Sequence, residues 1–160
     1  MNYKTESNAL NVNDSAKKVH LIKFTKEDAK FIQENFPTYY RDNSIENIER
    51  VIAETKPDAL WFCITYNGKK VGIISLGKKE EGKLSWGVMI KEGYRGKGIA
   101  QEAFDLIKNK AKAQGYTTII SSCSTDNFAS TRLHEKCGFN LIKTEVNQAG
   151  NEMHRWEIEI

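Results

Sequence analysis

The sequence predicts an α/β domain built on a mixed sheet, and three observations predict it. First, strand-like and helix-like patterns succeed one another in the order β-α-α-β-β-β-α-β-α-β-β. Second, an apolar strand-like run, residues 86–90, leads into the basic, glycine-rich turn Arg95-Gly96-Lys97-Gly98. A helical stripe of Ile99, Ala103, Phe104, Ile107 and Ala111 then begins. Third, 160 residues with 39% hydrophobic content, no internal repeat and no linker make one domain with a full core.

The elements follow in order. Residues 1–18 have no periodicity and read as a polar, mobile N-terminal tail, which leaves 19–160 as the domain. Residues 20–24 are a short strand. Thr25 caps a helix over 26–35, with Glu27 and Asp28 at its positive end, and Phe36-Pro37 breaks it. Ser44 caps a second helix over 45–54. Strands 60–66 and 71–76 flank the hairpin turn Asn67-Gly68-Lys69-Lys70, and residues 77–83 turn into strand 84–90. The helix over 98–114 ends at Gly115 in the left-handed conformation. A strand over 117–122 and a helix over 127–137 closed by Gly138 follow. On that helix 127, 131, 134 and 138 share one stripe, so Asn127 and His134 are expected to point the same way. A hairpin of 140–146 with 152–159 completes the chain.

The turn at 95–100 has the chemistry of an anion site. Its glycines let the backbone approach a phosphate closely, and the first N–H groups of the following helix have no internal partner. The helix dipole adds partial positive charge there, and Lys91, Arg95 and Lys97 add full charges. A dinucleotide fingerprint would need a glycine at 101, which is Gln101, and a P-loop would need Ser or Thr after Gly-Lys. Neither fits.

The turn instead resembles the Arg/Gln-x-x-Gly-x-Gly/Ala signature of the GNAT superfamily of acyl-CoA N-acyltransferases. A second stretch, Asn127-Phe-Ala-Ser130-Thr-Arg-Leu133-His134-Glu-Lys136-Cys-Gly138-Phe139, resembles that family's Asn-x-x-Ala/Ser-x-x-Leu-Tyr-x-Lys-x-Gly-Phe segment at the expected distance. The resemblance covers about residues 20–160. It implies a mixed, mainly antiparallel sheet of about seven strands with four helices, whose central strands splay apart to admit the arm of acetyl-CoA. It implies N-acetyl transfer to a primary amine, of a small molecule or a protein, by direct attack on the thioester.

The same resemblance assigns roles. Val88, Met89 and Ile90 would pair with the pantetheine arm, and the backbone of Met89 or Ile90 would stabilise the oxyanion. Arg95, Gly96, Lys97, Gly98, Ile99 and Ala100 would hold the pyrophosphate, and Asn127 and Ser130 the arm. Position 134 is usually Tyr in the family, the acid for the leaving thiolate; here it is His134. An imidazole can donate that proton, act as base toward the amine, or simply contact the cofactor. Relatives place a Glu base where this chain has Ser122 or Leu84, so no base is identifiable; Ser122 and Ser85 can orient a water. A catalytically silent acyl-CoA-binding module of the same fold is the alternative.

Plainer readings stand beside these. Asn127 is also a good helix N-cap, and a lone histidine is more often structural than catalytic. Tyr39 and Tyr40 fall where the family's first helices overhang the acceptor. A net charge of +3 without a Lys/Arg block disfavours nucleic acid, and no apolar run reaches membrane-span length. Cys63, Cys123 and Cys137 lack metal or redox spacing and read as reduced cytoplasmic thiols, with no metal expected. The C-terminal hairpin can pair across a homodimer.

Overall fold

The strands described lie in one seven-stranded sheet. The computed structural model describes residues 19–79 and 82–160. The tail expected over 1–18 lies outside the described residues, as do Glu80 and Glu81 in the turn expected over 77–83. The strands are β1 (Val19–Ile22), β2 (Leu60–Tyr66), β3 (Lys69–Lys78), β4 (Leu84–Ile90), β5 (Thr118–Ser124), β6 (Asn140–Val146) and β7 (Glu152–Glu159). The helices are α1 (Ala29–Asn35), α2 (Ile45–Glu54), α3 (Ile99–Ala113) and α4 (Phe128–Lys136). The sheet order is β1-β2-β3-β4-β5-β7-β6, and among these pairs only β4–β5 is parallel.

Differences from the sequence expectations are local. The first helix starts as a 3-10 turn, Lys26–Asp28, because the buried Asp28 carboxylate accepts the Thr25 N–H at 2.7 Å and also pairs with Lys70. That pull tightens the first turn. The β2–β3 hairpin turn shrinks to Asn67 and Gly68, both at positive φ, so β3 gains Lys69 and Lys70. Strand β5 runs on to Ser124 because β7 pairs with it over its whole length.

The two faces of the sheet bury different helices. Leu60, Phe62, Ile64, Ile74, Leu76 and Leu84 point to α3, packing on Ile99, Phe104 and Ile107. On the opposite face Cys63 and Ile73 pack under Ile32, Phe36 and Ile48 of the α1–α2 layer, with Trp61 and Met89 at its edge.

The feature that shapes everything downstream is the β4–β5 pair. It has only two registered partners, Leu84↔Ile119 and Ser85↔Ile120. Beyond them β4 stays with β3, whose register continues to Gly72↔Ile90, while β5 stays with β7 up to Ser124↔Met153. The two strands therefore diverge, as the resemblance implied.

Close packing holds β4 on the β3 side of this opening. A Cβ on Gly72 would stand 2.6 Å from the Met89 carbonyl oxygen and 3.0 Å from Ile90 Cδ1. Gly72→Ala is expected to destabilise the fold by about 1–3 kcal/mol through overpacking. Because backbone rather than a flexible side chain must yield, β4 moves. Denaturant unfolding measures the loss.

Candidate functional site

Where β4 and β5 part, a cleft of about 590 Å³ opens. One wall is the end of β4 and the turn after it: Val88, Met89, Ile90, Arg95, Gly96, Gly98, Ile99 and Ala100. The other is α4, through Asn127 and Ser130. The turn runs into α3 because Gly96 and Gly98 take φ of 75° and 78°, with no atom within 4 Å of where a Cβ would be. Gly98 is the N-cap of α3, so the first N–H groups of that helix lack intrahelical acceptors at the cleft. Arg95 Nε donates to the Ile90 carbonyl at 3.0 Å, fastening the turn to β4.

Lys97 is the one residue of the expected phosphate turn that does not line this cleft; its Nζ sits 5.7 Å over the Tyr94 ring. Two cations that the sequence reading missed do line it, Arg132 and Lys136, with Tyr94, Gln101, Ala129 and Leu133. Their i,i+4 spacing on the second motif was the available signal. No Asp or Glu is among the lining residues, so the wall is cationic on both sides.

Strand parity decides which β4 groups face the opening. Lys91 N–H donates to the Val71 carbonyl at 2.7 Å. In an antiparallel ladder bonded pairs alternate, so Met89 also directs its N–H to β3. Val88 and Ile90 direct theirs toward the opening. Of the two residues expected to offer an oxyanion donor, parity thus favours Ile90 over Met89.

Asn127 and His134 do not face the same way. Asn127 precedes the helix with non-helical dihedrals, and its side chain accepts the Ser130 N–H at 3.0 Å as an N-cap, at the cleft edge. His134 is 3% exposed and does not line the cleft. Its Nδ1 lies 2.7 Å from the Ser130 carbonyl, which only accepts, so Nδ1 carries the proton and Nε2 accepts. Ser121 Oγ donates to Nε2 at 2.7 Å, and Trp86 Nε1 donates to Ser121 Oγ at 2.9 Å while lying 3.2 Å from Nε2. The ring stacks on Trp156 at 5.1 Å. Burial pushes its pKa below the ordinary histidine value against the opposing hydrogen bond to Ser130, so it is neutral at pH 7.

Ser122, expected to orient a water, is exposed on the other face of the sheet, beside Arg155 of β7. Its neighbour Ser121 is the serine that meets His134. A second cavity of about 530 Å³ lies at the opposite end of β4, lined by Tyr39, Tyr40, Trp61 and Ser75 among others. There Trp61 Nε1 donates to Tyr39 Oη at 3.0 Å, and burial raises the pKa of both tyrosines, keeping them protonated. Burial also pushes the Cys63 and Cys137 thiols up to about 12, which keeps them unreactive. Among the described residues no group of acids, histidines and cysteines is arranged to hold a metal, and no helix is long and apolar enough to cross a membrane.

This geometry has known counterparts. Residues 14–140 match the family model described as the acetyltransferase (GNAT) domain, and the chain belongs to that family. Two L-methionine sulfoximine/L-methionine sulfone acetyltransferases are 29% identical over 75 residues, one from Pseudomonas paraeruginosa and one from Pseudomonas aeruginosa. The match covers 47% of this chain and 43% of each, so the chain spans less than half the length of these curated relatives. Among solved structures, a spermidine N-acetyltransferase SpeG mutant from Vibrio cholerae shares the fold at TM-score 0.76 and 16% identity, over 88% of this chain and 93% of that one. A microcin C7 self-immunity acetyltransferase in complex with acetyl-CoA and AMP does so at 0.71 and 19%, over 89% and 93%. A GNAT acetyltransferase from Bacillus anthracis does so at 0.70 and 19%, over 89% and 95%.

His134→Phe leaves the Ser121 hydroxyl without its acceptor and Trp86 with Ser121 as its one remaining acceptor, and is expected to cost about 1–3 kcal/mol at pH 7.5. The folded pKa is lowered, so the stability His134 contributes is complete above its unfolded value near ~6.5 and is lost as pH falls toward the folded value. The stability gap between wild type and variant should therefore narrow from pH 7 to pH 5, as read by denaturant titrations at each pH.

Proposed function

We propose that this chain transfers the acetyl group of acetyl-CoA to a primary amine. The observation that carries this reading is the divergence of β4 from β5 onto a glycine-rich cationic turn. It leaves the edge of β4, with the Val88 and Ile90 N–H groups directed to the opening, beside a cleft lined by Arg95, Arg132 and Lys136. The names of the relatives, which refer to an amino-acid derivative and a polyamine, support a small-molecule acceptor.

In this reading the α3 N-terminus, Arg95, Arg132 and Lys136 hold the pyrophosphate region of acetyl-CoA, and Val88 and Ile90 hold its pantetheine amides as an added strand would. The thioester supplies an activated acyl carbon. The acceptor nitrogen bonds to that carbon, the C–S bond breaks, the nitrogen loses a proton and the sulfur gains one, giving an amide and a free thiol. Ile90 N–H is the oxyanion donor.

His134, buried and neutral with both ring nitrogens engaged, supports α4 against β4 and β5 and does not exchange protons with substrate. With no carboxylate lining this cleft, either a water chain to solvent or an acceptor already present as the neutral amine serves, and the pH dependence of kcat/KM tests the latter. These same two features favour the second reading, a silent acyl-CoA-binding module. Release of free thiol from acetyl-CoA in the presence of an amine panel separates the two.

Acetyl-CoA is expected to raise the melting temperature by binding only the folded state, and Arg95→Glu to abolish the shift. A full shift in that variant would show the turn to be misassigned. The rate should follow the acceptor's own ionisation. kcat/KM should keep rising to about pH 9 for an alkyl amine of pKa near ~10, and level off sooner for an α-amino group near ~8. A plateau near pH 6.5 for both would identify an enzyme group as the base.

A further inference from the structure

The face of the sheet away from α3 and α4 changes character at β4. Over β2 and β3 it is covered by α1 and α2, and that apolar layer reaches no further than Met89. Beyond it, on β5 and β7, the side chains of Ser122 and Arg155 stand next to one another in register. Their neighbours Ser121 and Trp156 point the other way, to His134. Ser122 and Arg155 thus lie on the side of the sheet that α3 and α4 leave free, one and two strands from β4 and two residues past the point where β4 and β5 part.

Arg155 is held there at one nitrogen. Its Nε donates to Glu145 Oε1 at 2.6 Å, and Lys143 Nζ lies 2.8 Å from the other oxygen of the same carboxylate. Those two cations hold the Glu145 carboxyl below its usual range. Two positive groups against one negative leave the cluster with a net positive charge. Among the described residues, the two terminal nitrogens of Arg155 have no protein partner. Glu157, one pleat further along the same face of β7, is engaged by Lys83 at 3.4 Å.

We infer that the acceptor carries a carboxylate as well as its amine, and that Arg155 is the residue that grips it. This rests on the acetyl transfer proposed above and names the substrate class for it. A guanidinium fixed at Nε presents its remaining donors as a planar fork, the shape that takes a carboxylate by two parallel hydrogen bonds. The strand spacing of about 4.8 Å between β5 and β7 is within the reach of one arginine side chain. An amine and a carboxylate a few bonds apart can thus lie across it, the nitrogen toward the opening. A polycationic acceptor meets the opposite field: Glu145 and Glu157, which flank Arg155 on this face, are already ion-paired, and the net charge of the Arg155 cluster repels it.

The test uses amino acids of differing side chain, each matched to its carboxamide and its decarboxylated amine, with spermidine as the polycation. Thiol release is measured for wild type, Arg155→Gln and Arg155→Lys. Comparing variant with wild type for each acceptor cancels differences in amine basicity. Arg155→Gln should lower kcat/KM for the preferred amino acid roughly 10- to 100-fold, mainly through KM. It should leave the carboxamide, the decarboxylated amine and the KM for acetyl-CoA unchanged. Arg155→Lys, which keeps the pairing with Glu145 but lacks the fork, should lose a smaller part of that rate with an unchanged melting temperature.

Wild-type preference for spermidine or for decarboxylated amines would overturn the inference while upholding acetyl transfer. An equal loss for every acceptor in Arg155→Gln would also overturn it, by making Arg155 a structural residue. Absence of transfer to any acceptor, with the acetyl-CoA melting shift intact, would overturn the transferase reading and this inference with it.

Discussion

The structure depends on where two parallel strands stop pairing. After Ser85 and Ile120, β4 and β5 hold no further backbone bonds, and a buried side-chain network takes over at that vertex. Trp86 is the next residue of β4 and Ser121 the next of β5, and they are joined by a hydrogen bond. His134 from α4 closes the triangle and is clamped by its bond to Ser130 and its stack on Trp156. Every donor and acceptor in this triangle has a partner, so the vertex is rigid without a ladder. An open strand edge is ordinarily a liability. Here the N-terminal ends of α3 and α4 flank it.

The opening has two electrically different sides. On the α3–α4 side Arg95, Arg132 and Lys136 surround the cleft with no acid among its lining residues. On the other side the charges are mostly balanced in pairs, leaving Arg155 partly unspent. The proposed cofactor contacts lie on the first side and the inferred acceptor contact on the second. Separating the two across the sheet lets each be tuned without disturbing the other. His134 illustrates the cost of a rigid vertex: a histidine that is neutral, engaged at both nitrogens and shielded from solvent holds geometry and is poorly placed to move protons.

Much of this was legible in the residues. The stripe Ile99, Ala103, Phe104, Ile107, Ala111 is the buried face of α3, and Ser44 accepts the Asn47 N–H as the cap of α2. The strands over 84–90, 140–146 and 152–159 begin and end where their patterns do. These features rest on local chemistry: periodicity, capping side chains and the freedom of glycine at positive φ are all written within a few residues. The family followed from two motifs in fixed order.

What the sequence could not decide were directions. Treating Asn127 as the first residue of a helix put it on one stripe with His134, yet Asn127 is a cap with non-helical dihedrals, so that phase was wrong. Whether Ser121 or Ser122 meets His134 depends on which face of β5 turns toward α4, and a shift of one residue reverses it. The pairing of Arg155 with Glu145, and its place beside Ser122, join strands that the chain brings together only on folding. The residues by themselves determined the elements, the glycine-rich turn before α3 and the family. Only tertiary packing decided which side chains face the opening, because facing is set by contacts between strands and helices distant in sequence.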